Sequence, residues 1–315
     1  MLGFCLLAPV ADALAKLLGP HLAVGQLVAL RFAIQALVLV PITLVGGRAW
    51  RLAPSLLAWV ALRTLLHIAG IATMFTAFLY LPLADAIAIA YVMPFILLLF
   101  GHLMLGEEVG LRRLGACAVG FVGTLLVIQP AFREVGAAAL LPLAVAVIFA
   151  LFMLVTRRIA AQTDPLGMQA VSAVMAVILL APVLALAPPE IAMLAWQQPP
   201  AALWGLILAM GLAGTLAHLL LTWSLRYAPA STLAPMQYLE IPIAAAVGLV
   251  IFGDLPGPLA ALGIVITVGA GLYIVLRERA IAQRPRAAPP AAPLAPSAAG
   301  SAASPASRTP DAPAP

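Results

Sequence analysis

The sequence predicts an all-α membrane protein of ten transmembrane helices, arranged as two inverted five-helix repeats. Three observations carry this. The chain is 64% hydrophobic and 9% charged, whereas a soluble domain carries about a quarter charged residues. Ten apolar segments have the length of about 20 residues that a helix needs to cross a bilayer. Rare turn residues recur at a shift of 147 positions.

The segments are 2–18, 22–45, 55–80, 83–105, 113–129, 137–156, 168–187, 202–223, 230–252 and 258–276. The first lacks the basic start and small-residue cleavage site of a signal peptide, so it reads as a membrane helix. Breakers or charges separate the rest. Gly19-Pro20-His21, Gly46-Gly47-Arg48, Leu81-Pro82 and Gly106-Glu107-Glu108 end the first four. Gln129-Pro130, Arg157-Arg158, Pro188-Pro189-Glu190, Tyr227-Ala228-Pro229 and Gly253-Asp254 end the next five. Irregular backbone is not tolerated against lipid, so these breaks belong at the membrane surfaces. Trp50 and Trp196, near span ends, read as interface anchors.

Loop charge sets the orientation. With the N-terminus inside, Arg48, Arg51, Arg112, Arg113, Arg157, Arg158, Arg226, Arg277, Arg279, Arg284 and Arg286 all lie on the inner side. The outer side holds only Arg133 and, near the end of the first helix, Lys16. An odd helix count would spoil this bias. Both termini are therefore expected in the cytoplasm, and the inner membrane is the expected location. Residues 280–315 are rich in Ala, Pro and Ser without apolar period, which reads as a disordered cytoplasmic tail.

The net charge of +5 comes from scattered single or paired arginines. They form no basic stripe, so no nucleic-acid partner is expected. Cys5 and Cys117 sit in apolar runs and form neither a metal-ligand spacing nor a disulfide framework. No cofactor or metal is expected.

At the shift of 147, Tyr80-Leu81-Pro82 falls on Tyr227-Ala228-Pro229, Tyr91 on Tyr238, and Gly106-Glu107 on Gly253-Asp254. One residue of slip then aligns Gly115 with Gly263 and Gly123 with Gly271. Because five is odd, the second copy must enter the membrane upside down. Inverted repeats of this kind are a mark of secondary transporters, whose site lies near the midplane between the halves.

The chain resembles the drug/metabolite transporter superfamily, in particular its ten-helix EamA-type members. The resemblance rests on Arg31-Phe32, Tyr80-Leu81-Pro82-Leu83-Ala84-Asp85-Ala86 and Leu105-Gly106-Glu107-Glu108. It rests equally on Gln237-Tyr238-Leu239-Glu240-Ile241-Pro242, on Phe252-Gly253-Asp254 and on the Gly-rich fifth and tenth helices. Asp254 stands where the pattern often has Glu. The resemblance implies a first EamA-type repeat over 1–130, a second over 137–276, and transport of a small molecule such as an amino acid, nucleotide derivative, vitamin or toxic metabolite.

Ionisable residues within spans are costly and usually functional. Asp12, Arg31, Arg63 and Glu240 are the deep ones, Arg63 about 12 Å past Ser55 at 1.5 Å per residue. Asp12 and Lys16 are spaced to pair along one helix face, so Asp12 is either neutralised by Lys16 or turned to a cavity. Arg31 is either a substrate anchor or a tie to a backbone carbonyl. Arg63 and His67 share a face, and His67 is a candidate proton relay or a packing residue. Glu240 precedes Pro242, which frees a carbonyl one turn earlier; Pro94 sits near the matching place in the first half. Tyr91, Gln237, Tyr238, Trp223 and Phe75 could line an aromatic cavity or pack. Gly115, Val119, Gly123 and Gly263, Thr267, Gly271 form small stripes that let the fifth and tenth helices approach, within the chain or in a homodimer.

Asp12, Arg31, Arg63, His67, Tyr91, Gln237, Tyr238 and Glu240 are the candidate substrate-binding or coupling residues. The sole lysine, Lys16, is in no phosphate-binding loop, so an ATP-driven pump is disfavoured. H-E-x-x-H and G-x-S-x-G are absent. The function expected is a secondary transporter coupled to protons or exchange, in contact with lipid and a small-molecule substrate. A vitamin-like aromatic such as riboflavin is the favoured substrate, and an amino-acid or toxic-metabolite exporter is the alternative. A membrane-embedded enzyme or a receptor is the alternative of another class.

Overall fold

The computed structural model describes residues 1–47, 52–105, 111–188, 190–228 and 233–282. Arg48, Trp50 and Arg51, the Gly106-Glu107-Glu108 turn and residues 283–315 of the tail lie outside the described residues. Regular structure among the described residues is all helical. Its helices are α1 (Leu2–Leu18), α2 (Val24–Val45), α3 (Pro54–Ala77), α4 (Leu83–Ala90), α5 (Met93–Leu105), α6 (Leu111–Val135), α7 (Leu141–Ala160), α8 (Pro165–Ala185), α9 (Trp204–Tyr227), α10 (Glu240–Phe252) and α11 (Pro258–Ala282). Five runs are long and apolar enough to cross a membrane. One of them, Ala118–Ala160, has 43 residues, more than twice the ~20 that one crossing needs. The outside carries exposed Leu37, Val45, Leu186 and Val250, a surface suited to lipid rather than water.

Three expected boundaries move. The segment 83–105 is two helices, α4 and α5, separated by a turn at Tyr91 and Val92. Pro94 is the reason. It has no amide hydrogen to return to Ala90, and it is tolerated at the second position of a new helix. The segment 230–252 likewise resolves into a 3-10 turn, Ala234–Leu239, followed by α10, with Pro242 in the first turn, where amides have no intrahelical acceptor. The break expected at Gln129-Pro130 lies instead at Gly136. Helix α6 runs through Pro130, because one lost hydrogen bond kinks a membrane helix without ending it. Gly136 adopts φ +64°, a left-handed conformation that glycine takes without steric cost. Gly253 does the same with φ +72° at the end of α10. Its amide bonds Leu249 and the Asp254 amide reaches Gly248, a capping arrangement that satisfies the last carbonyls.

Helix packing pairs distant parts of the chain. Helix α1 lies along α9, α2 along α8, α3 along α7 and α6 along α11. The last pair is closest at Gly123, where an added Cβ would stand 2.8 Å from the Gly263 carbonyl oxygen and 2.5 Å from Thr267 Oγ1. The Thr267 hydroxyl donates to the Gly120 and Gly263 carbonyls at 3.3 and 2.9 Å. Small residues thus bring α6 and α11 into contact within the chain. Val119 is exposed, and Gly271 meets the Tyr238 ring instead.

Lys16 does not pair with Asp12. Its ammonium donates to the Leu81 carbonyl at 2.9 Å and to Asp254 Oδ2 at 3.3 Å, tying the end of α1 to the turn after α10. The side chains of Lys16 and Asp254 are 17% and 38% exposed, so Lys16→Ala is expected to cost about 1 kcal/mol or less. A thermal melt of the purified protein that falls much further would show that this contact does more than tie two ends.

Candidate functional site

Helices α1, α2, α3, α4, α7 and α9, with the first residues of α5 and α10, enclose a cavity of about 100 Å³. Its wall is largely apolar, with Phe4, Met74, Phe75 and Phe149 among its side chains. Six polar side chains interrupt it: Asp12, Arg31, His67, Tyr91, His218 and Glu240. These are scattered along the chain from α1 to α10, so only the folded bundle brings them together.

Arg31, on α2, points across to α9. Gly214 makes the space, since a Cβ there would stand 2.6 Å from Arg31 Nε and 2.7 Å from Nη2. Arg31 Nη1 has no protein partner. Asp12, on α1, is its charged neighbour, although no salt bridge joins the two. The pair therefore presents opposite charges without cancelling them in a closed contact.

His67 and His218 meet with ring centroids 4.3 Å apart. Phe32 stands edge-on to His67 at 5.1 Å, and Phe152 lies at 4.8 Å. Both His67 nitrogens and His218 Nδ1 are buried without a partner among the described residues. A buried donor or acceptor left unmatched is costly, so these nitrogens are available to a group that enters the cavity. Among the described residues no three metal-ligating side chains gather.

Tyr91 sits in the turn between α4 and α5 and shares the cavity wall with Glu240 at the start of α10. Its ring contacts that of Tyr238, centroid to centroid 5.7 Å. The two tyrosines related by the 147-residue shift thus touch where each segment departs from α-helical geometry.

Asp12, Arg31, His67, Tyr91 and Glu240 line the cavity. Arg63, Gln237 and Tyr238 do not. Arg63 lies one turn from His67, inside a buried polar cluster. Its Nε donates to Thr156 Oγ1 and its Nη1 to Ser172 Oγ, both at 2.9 Å, while Nη2 reaches Gln169 Oε1 at 3.2 Å and Thr222 Oγ1 at 3.3 Å. Neutral partners on three other helices occupy its fork, and Phe152 covers its face at 4.7 Å. Gln237 and Tyr238 fall on the 3-10 turn, whose tighter winding rotates them off the wall. Tyr238 is packed behind Tyr91, against Gly271. Trp223 also lies off the cavity, whereas Phe75 is on it. Phe4, Phe149, Gly214 and His218 were not singled out for the site from sequence. The four-residue spacing of Gly214 and His218, which puts them on one face of α9, was the signal that could have found that pair.

A comparison with protein families matches the EamA-like transporter family over residues 1–129 and 136–277. The chain belongs to this family. Membership fixes the coarse reading: an EamA-like chain is a multi-pass membrane protein, and its family is one of transporters. Among its relatives is a riboflavin transporter of Rhizobium johnstonii, 30% identical over 71% of this chain and 72% of its own length. Another is an S-adenosylmethionine uptake transporter of Rickettsia prowazekii, 25% identical over 85% of this chain and 88% of its own. A crystal structure 21% identical, with a TM-score of 0.66, shares the fold over 89% of this chain and 96% of its own.

Proposed function

We propose that this EamA-like transporter is a secondary carrier that moves a small metabolite across the bacterial inner membrane by alternating access. In this reading residues 1–130 and 137–276 are inverted repeats of five spans each. The spans are α1, α2, α3, α4 with α5, and α6, then α7, α8, α9, the 3-10 turn with α10, and α11. Both termini, with the tail 280–315, are cytoplasmic. The packing supports the repeat. Exchanging the halves carries the α1–α9 contact onto α3–α7 and leaves α2–α8 and α6–α11 as self-matching pairs.

The observation that carries the reading is the cavity at the junction of the halves, where Asp12, Arg31 and His67 of the first face His218 and Glu240 of the second. At about 100 Å³ it is smaller than the 300–1,000 Å³ of typical ligand sites, so in this reading the halves part to admit a substrate. The substrate class to test first is a vitamin-like aromatic such as riboflavin. Phe4, Phe75, Phe149 and Tyr91 offer ring faces, and Arg31 Nη1 and the free imidazole nitrogens offer partners for carbonyl and ring-nitrogen edges. The relative named as a riboflavin transporter points the same way. A second reading, export of an amino acid or toxic metabolite, is favoured by the unclosed Asp12–Arg31 pair, which suits a zwitterion.

The test is growth of a riboflavin auxotroph without its own uptake system. The chain is expected to restore growth at limiting riboflavin, and Arg31→Ala and Asp12→Asn are expected to cut riboflavin entry at least tenfold at equal membrane abundance. Failure to restore growth, together with new resistance to amino-acid analogues, would move the assignment to the exporter reading. Sealed vesicles separate a carrier from a membrane enzyme, since a carrier returns its substrate chemically unchanged.

A further inference from the structure

Charge on the cavity wall is not balanced. Arg31 is the cation beside Asp12. Glu240, 5% exposed, has no such neighbour among the described residues. It lines the cavity beside Tyr91, and the charged group nearest in effect is Asp12, a second carboxylate. Its Oε1 is buried without a partner.

The other groups around it do not supply the missing charge. From α1 it meets the Cys5 thiol and Asp12. Lys16, farther along α1, is engaged by Leu81 and Asp254. From the turn after α4 it meets Tyr91, while Asp85 of that helix has Lys16, Glu134 and Asp254 as its charged neighbours. The 3-10 turn brings Tyr238 near, its ring against Tyr91. Across the cavity stand Arg31, whose charged neighbour is Asp12, and the paired rings of His67 and His218. An ionised carboxyl in such a place must be matched by a cation or lose its charge.

We propose that Glu240 is the coupling site of the transporter and that its ligand is a proton. The carboxylate takes a proton from water on the side to which the cavity opens and returns it to water on the other. Glu240 stands at the start of α10 and lines the cavity with Tyr91, which lies in the turn between α4 and α5, so gain or loss of that proton is felt where both segments are broken. The inference rests on the alternating-access reading and adds to it the identity of the driving ion and of its carrier.

Two measurements decide it. In differential infrared spectra of the purified protein across a pH titration, a protonated-carboxyl band is expected, removed by Glu240→Gln and kept by Asp12→Asn. This readout needs no substrate. In proteoliposomes, a pH gradient is expected to drive riboflavin accumulation by wild type. Glu240→Gln is expected to abolish accumulation and to leave residual riboflavin counterflow independent of pH. Glu240→Gln retaining the band, or accumulating riboflavin on a pH gradient as wild type does, overturns the proposal. So does accumulation by wild type on a sodium gradient with pH clamped. If wild type shows no riboflavin movement at all, the substrate reading fails, and the infrared result still decides for or against Glu240.

Discussion

Arg63→Ala is expected to destabilise the protein by about 3–5 kcal/mol, from the cavity left by a large buried side chain and the buried polar partners it strands, and to leave little folded protein in the membrane. Arg63 is wholly buried and joins α3 to α7, α8 and α9 through Thr156, Ser172, Gln169 and Thr222. Removing it leaves a cavity and strands polar groups that have no water to turn to. Gln169 also receives Gln35 of α2 and donates to Thr222, so the disturbance spreads over five helices. Arg63→Met separates the two causes. It refills most of the volume without restoring a donor, so it stays as damaging as alanine if hydrogen bonding dominates. Arg63→Lys keeps the charge but cannot fork to three helices at once, and its melting temperature should fall between alanine and wild type. Melts of detergent-purified variants give the order; an alanine variant that melts with wild type would remove Arg63 from the framework of the fold.

Gly214→Ala is the second large effect, and it differs in kind. The added methyl occupies the place of the Arg31 guanidinium. Overpacking of this sort costs about 1–3 kcal/mol in stability, a tolerable loss. The functional loss is expected to be larger, at least tenfold in riboflavin entry, because Arg31 is pushed away from Asp12. Gly205, on the same helix, has open space where a Cβ would stand, with nothing within 4 Å. Gly205→Ala therefore serves as the control and should change neither quantity. Equal transport by the Gly214 and Gly205 variants would detach Arg31 from the substrate.

Most of the helical layout was legible in the sequence because a bilayer punishes exceptions. Apolar segments ended near helix ends wherever glycine, proline or arginine interrupted them, and the family motifs carried the EamA assignment. Boundaries slipped where a proline has two outcomes. Pro130 is absorbed by α6, whereas Pro94 and Pro242 open new helices, and which occurs depends on what packs around them. The site was legible in part. Asp12, Arg31, His67, Tyr91 and Glu240 could be found because a polar group in a span needs a reason. The same rule drew in Arg63, since depth alone does not distinguish a cavity wall from a buried polar cluster. The hydroxyls that occupy Arg63 are Thr and Ser residues scattered across 156–222, individually unremarkable in sequence. Pairing of Lys16 with Asp12 was one of two readings left open, because spacing along one helix is visible in sequence whereas the approach of Asp254, 238 positions away, is not.

The glycines at 120 and 271 bear on how such a carrier diversifies. Neither touches the cavity, yet Phe95 rests on the first and Tyr238 on the second, closely enough that a single methyl group would displace the ring. Tyr238 in turn backs Tyr91 on the wall. The bore of the chamber is therefore set from behind, by how much backbone α6 and α11 leave bare. A one-carbon edit at either glycine would reshape the cavity from behind, with every polar lining group kept in place.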